Sequence, residues 1–164
     1  MANVFDNIVG EKHAVCESSL LRATISGNIF SLKCHKALDN GSIVTYGDYV
    51  ENQVFAAKDY EDGAMPLLVL TTPIGYNSDR KYMTDECYFF NDVDEIARAY
   101  PLYANDIWTV SEMIFQGTPE VGKYIDATYT VSDAAGTGFV GRIIDKVING
   151  TNVSYRVFVE STGC

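Results

Sequence analysis

The sequence predicts a mainly β fold, a single-domain antiparallel β-barrel or sandwich with long loops and at most one or two short helices. Three observations carry that expectation. Eleven Tyr against a single Trp, with many Val, Ile and Thr, lean the composition toward strand. Short apolar runs, several of them alternating with period two, recur along the chain, about nine in all. Gly, Pro, Asn and Asp punctuate them at the points where turns are needed.

Residues 1–12 read as an N-terminal arm with little regular pattern, and 13–164 as one β-rich domain. At 164 residues the chain is long enough to bury a core without disulfide staples. In HAVCESSLLRATI, the apolar positions Val15, Leu20, Leu21 and Ile25 fit either a short helix or an irregular strand. Phe30, Leu32 and Cys34 then alternate with Ser31, Lys33 and His35, as in a half-buried strand. Asp39-Asn40-Gly41 supplies a turn and SIVTY the next strand, so residues 29–46 are expected to form a hairpin. Gly47-Asp48 breaks that strand, NQVFAA offers another, and Asp59 to Gly63 is an acidic loop.

LLVLTT begins apolar on both faces, the pattern of a strand buried in a sheet interior, and Pro73 stops it. IGYNSDRKY is loop-like. The stretch Asp85 to Phe115 holds the Trp, three Tyr and three Phe. Within it, Asn105-Asp106 separates two strands, Ala97–Tyr103 and Ile107–Ser111, while Asp92, Asp94 and Glu95 form a solvated loop face. Arg98, between two Ala of the first strand, could reach Asp94 or Asp106, or sit as an exposed edge charge. KYIDATYTV alternates, SDAAGTG is a small-residue loop, and FVGRIIDKVINGTNVSYRVFVES reads as two strands around Asn149-Gly150-Thr151-Asn152.

The formal net charge of −10 argues against a nucleic-acid partner, whose phosphates need clustered Lys or Arg. The first residues lack the basic and apolar regions of a secretory signal, and no run approaches a membrane span. Four Cys without short paired spacings fit free thiols in a reducing cytosol.

Motifs for chemistry are weak. Gly136, Gly138 and Gly141 match GxGxxG, but too little chain follows for a dinucleotide-binding unit, so a flexible turn is expected and no cofactor. His13, Cys16, Cys34 and His35 could be gathered as zinc ligands. However, Cys34 and His35 are strand neighbours pointing to opposite faces, so no metal site is expected. No nucleophile elbow accompanies His35 and the acidic pairs read as loop faces, so no catalytic residue is assigned. Tyr76, Tyr82 and Tyr88 beside Arg80 and Lys81 combine rigid aromatic area with basic groups. They are candidate protein-interaction residues, weighed against tyrosines that merely cap a barrel core.

From Asp39 to Ser111 the order of segments resembles small auxiliary proteins encoded beside the major capsid protein of tailed bacteriophages. The elements are NGSIV, then GDYVENQVFAA, then LLVLTTPIGY, then FFNDVDEIARAYPL, then ANDIWTVS. Asn105 and Ile96 stand where Gly is usual in that family. The resemblance implies a non-enzymatic virion component, a capsid decoration or head-fibre-type protein made in the host cytoplasm and sited on the capsid surface. Its implied partners are the major capsid protein and other virion proteins, with self-association as a further option and neither nucleic acid nor membrane involved. A tail or host-surface module binding glycan or receptor is the alternative reading, and a small hydrolase using His35 a third.

Overall fold

A computed structural model describes residues 11–74 and 85–164. Of the expected N-terminal arm, residues 1–10 lie outside the described residues. The chain is mainly β, with one short helix and two 3-10 turns among the described residues. In order it runs β1 (Cys16–Leu20), α1 (Arg22–Ser26), β2 (Phe30–Lys33), β3 (Ile43–Glu51), β4 (Val54–Asp59), β5 (Leu67–Val69), β6 (Ile96–Pro101), β7 (Ile107–Ser111), β8 (Tyr124–Ile125), β9 (Val131–Ser132), β10 (Phe139–Asn149) and β11 (Asn152–Thr162). The 3-10 turns are Glu86–Tyr88 and Glu112–Ile114.

These strands make two sheets. Five close into a barrel in the order β2-β4-β3-β5-β6, and six form an antiparallel sheet in the order β1-β7-β11-β10-β8-β9. One barrel pairing, β2 with β4, is parallel, a departure from the all-antiparallel expectation. The expected hairpin over residues 29–46 does not form. β2 pairs with β4 and β6, while β3 pairs with β4 and β5, and residues 34–42 cross between them. The Asn-Gly turn reading was local, whereas β2 satisfies its backbone through partners far along the chain.

The barrel interior is small-residue rich: Leu32, Cys34, Val44, Ala57, Leu67, Val69, Ala97 and Ala99 fill it. The second core lies on one face of the six-stranded sheet, where Trp108 pairs with Val157 and Val110 with Tyr155 across β7 and β11. Ile43, Leu68 and Leu102 join that second core from the barrel side. This explains why LLV is apolar on both faces: Leu67 and Val69 point into the barrel, while Leu68 points to the sheet.

Asp39-Asn40-Gly41 becomes the hub between the two sheets. The Asp39 carboxylate binds the His13 imidazole at 2.8 Å and accepts the Ala14 N–H. The Asn40 amide accepts from the Thr71 N–H and donates to the Thr71 carbonyl. Gly41 has φ +96° and packs so tightly that a Cβ there would lie 2.8 Å from Val110 Cγ2.

Residues 16–26 hold a strand and then a helical turn, so both readings of HAVCESSLLRATI apply in succession. β1 is drawn into the sheet by its pairing with β7. The alternating KYIDATYTV forms only two short strand pieces. Asp126 interrupts it by accepting from the N–H groups of Thr128 and Thr130 and from the Thr128 hydroxyl. That turn puts Tyr129 at φ +61° and drives its ring into the core. There the Trp108 Nε1–H donates to the Tyr129 hydroxyl at 3.1 Å, and that hydroxyl donates to the Gly41 carbonyl at 2.6 Å. The C-terminal pair β10 and β11 forms the hairpin expected around Asn149-Asn152.

Candidate functional site

The β3–β4 hairpin owes its shape to two register irregularities. Tyr46 opposes Ala57, Tyr49 opposes Phe55, and Glu51 opposes Val54, so β3 carries extra residues at Gly47-Asp48 and again at Val50. Gly47-Asp48, expected to break the strand, is therefore a bulge inside one. Its consequence is geometric. In a regular strand, side chains three residues apart point to opposite faces, but the bulge brings Tyr46 and Tyr49 to the same side. At the tip Asn52 and Gln53 take φ +47° and +67°, the paired left-handed residues of a tight hairpin turn.

Phe30, Tyr46 and Phe55 stand one pleat beyond the interior residues Leu32, Val44 and Ala57 of their own strands. They line one mouth of the barrel. Phe30 stacks on Tyr46 with centroids 5.4 Å apart and tilts against Phe55 at 5.9 Å. Tyr46 and Tyr49 each meet Phe55 edge-on at 5.6 Å. Phe30 and Phe55 also pack on the barrel core, while Tyr46 is 42% and Tyr49 61% exposed. Ile29 and Val50 add exposed apolar surface beside them in the chain. No sequence feature singled out these rings, because the bulge that gathers them read as the end of a strand.

Of the residues named from sequence as an interaction site, Tyr76, Arg80 and Tyr82 lie outside the described residues. Tyr88 ends the 3-10 turn at Glu86–Tyr88 and is half-buried. No protein-family model, no curated protein and no solved structure matches the chain.

The other sequence candidates are dispersed. Cys16 belongs to the core of the six-stranded sheet and Cys34 to the barrel interior, and burial raises both thiols, Cys34 to about 11. His13 is held by Asp39 and stacks on Phe90 at 4.5 Å. His35 pairs with Asp59, whose carboxyl is held below its ordinary range chiefly by Lys36. The four therefore do not converge. Arg98 is exposed, with Asp94 paired to Lys33 at 3.2 Å and the buried Asp106 accepting from the backbone N–H groups of Arg22 and Tyr103. Neither carboxylate is joined to Arg98. Gly136 and Gly138 precede β10, but Gly141 lies inside it, where a Cβ would meet Val157 at 2.8 Å and Ile125 at 2.9 Å. A strand rather than a helix follows the glycine motif, unlike a dinucleotide site.

A groove of about 790 Å³ crosses the outer side of the six-stranded sheet, lined in part by His13, Glu17, Cys87, Ser111 and Glu112. Its Ser, His and Cys side chains are engaged or weakly reactive. The Ser111 hydroxyl accepts the Val15 N–H, and His13 is bonded to Asp39. Burial, and then Asp85, raises the Cys87 thiol, leaving it protonated and weakly nucleophilic at neutral pH.

Proposed function

We propose that the chain is a non-enzymatic structural protein of a tailed-phage virion, an auxiliary protein that binds and stabilises the head lattice or attaches fibres to it. The observation that carries the reading is the order of the five resembling segments. They fall on consecutive elements, NGSIV opening β3, VFAA in β4, LLV as β5, ARAY in β6 and IWTVS as β7. The resembling segments thus cover four of the five barrel strands, β2 excepted, together with β7 of the second sheet. An acidic body with an exposed aromatic patch suits a protein that binds a protein lattice. Its partners in this reading are the major capsid protein and other virion proteins, at the capsid surface.

The test is co-sedimentation of the purified chain with assembled heads. Saturable binding that raises the thermal or chemical resistance of the shell is expected. Absence of binding, or binding to a glycan array without binding to heads, would overturn it in favour of a host-surface module.

A further inference from the structure

We propose that the free edge of β1 takes an extended segment of a protein partner as a seventh, antiparallel strand of its sheet, with a lysine or arginine opposite Glu17. This deepens the proposed function and rests on it only in taking the partner to be a protein. β1 ends the six-stranded sheet, so β7 covers one of its sides and, among the described residues, no strand covers the other. The register fixes what that side offers. The Ser111 N–H donates to the Val15 carbonyl at 2.9 Å and Cys16 opposes Val110. Val15 and Glu17 therefore turn their backbone groups to β7, while Ala14, Cys16 and Ser18 turn theirs outward. The Asp39 carboxylate accepts the Ala14 N–H. No hydrogen bond among the described residues uses the backbone N–H or carbonyl of Cys16 or Ser18. The opposite end of the sheet differs, because in β9 the Val131 N–H donates to the Gln116 carbonyl.

Outward groups spaced two residues apart are matched by another extended chain, and cavities beside them take its side chains. A slot of about 470 Å³ is lined by residues 15–18 and residues 70–73. Val15, Glu17 and Glu86 line both this slot and the 790 Å³ groove, so the two cavities meet along β1. Charge selects the side chain. Glu17 shares the outer face with Thr109, its partner on β7, and a residue opposite it on an added strand would share that face too. Neither Glu17 nor Glu86 is in an ion pair among the described residues, and Lys12 is the one lysine or arginine lining either cavity. A second copy adding its own β1 in the register that pairs Cys16 with Ser18 would set Glu17 against Glu17, which like charges oppose.

The test is an NMR titration of the full chain with acetyl-Val-Lys-Val-Lys-Val-amide, alongside the same peptide with Glu in place of Lys. The basic peptide is expected to shift the Cys16 and Ser18 amides saturably and to slow their exchange with solvent. N-methylation of its central valine, whose N–H faces β1, should weaken binding at least about tenfold, whereas N-methylation of its lysines should be tolerated. Ser18→Pro removes an outward N–H and none that bonds β7, and should weaken binding at least about tenfold. Glu17→Gln/Glu86→Gln should weaken it at least about threefold. Unchanged emission from Trp108, opposite residue 18, verifies folding of the variants. Equal binding of the peptide methylated at its central valine, or shifts spread over the acidic surface, would overturn the proposal. So would NOEs in the free chain from the Cys16 or Ser18 amides to another segment or to a second copy. Heads that fail to bind while the peptide still pairs with β1 would remove the virion reading and leave this one. Heads that bind wild type and Ser18→Pro equally, with no pairing of the peptide, would do the reverse.

Discussion

Removing one oxygen atom tests the account of the second core. In Tyr129→Phe the ring stays, but the Trp108 indole N–H loses its acceptor and the Gly41 carbonyl loses its donor. Both partners are buried, with Trp108 fully so. Each stranded group costs about 1–3 kcal/mol, and no longer burying the hydroxyl returns part of that, so a net loss of about 3 kcal/mol is expected. For a chain of this length that corresponds to a fall in Tm of roughly 6–12 °C. Trp108 is the only tryptophan, so its emission during urea unfolding reports the site directly. Tyr155→Phe serves as the control. Tyr155 belongs to the same core, but no hydrogen bond of its hydroxyl is found among the described residues, and its loss should cost under about 1 kcal/mol. A Tyr129→Phe loss as small as the control's, at unchanged urea dependence, would refute the relay as a stabilising feature.

Three further outcomes follow from the same geometry. Gly41→Ala should cost about 2–4 kcal/mol, read by urea midpoint, because the residue sits at φ +96° and its Cβ would meet Val110; a neutral result would show the hub to be pliable. Stability should be full below about pH 9 and fall as pH rises toward about 11. Burial raises Cys34 from 9.0 to about 11 and lifts Tyr129 above 10.0, so the unfolded chain loses these protons first; a urea midpoint flat across that window would contradict this. With a thiol reagent, exposed Cys164 should react first and half-buried Cys87 more slowly, while Cys16 and Cys34 should react only on unfolding. Equal labelling of all four in the native state would rule this out.

Local pattern was enough wherever an element's partner lies close in the chain or its burial is one-sided. The β10–β11 hairpin is legible from alternation on either side of Asn149–Asn152, and β6 and β7 from apolar runs parted by Asn105-Asp106. It misled where a distant partner took over. Asn40-Gly41 carries the chemistry of a hairpin turn, yet its backbone and side chains are claimed by Val69 and Thr71 on one distant segment and by Tyr129 on another. Alternation in KYIDATYTV suggested a strand, but the Asp126 carboxylate offers the backbone competing hydrogen bonds and turns it.

By itself, then, the sequence determined that this protein is β-rich and acidic, where most strands lie, and that the strand opening at Leu67 is buried on both sides. Those properties follow from side-chain chemistry and a period of two, which are local. The closing of β2–β6 into a barrel, the parallel β2–β4 pair and the seating of Tyr129 beneath Gly41 depend on pairings between distant segments. The place of Tyr49 beside Tyr46 and Phe55 depends on the first of two bulges in β3, which changes the facing of the residues between them. Only the tertiary structure decides such a register, because its energy comes from the strand opposite.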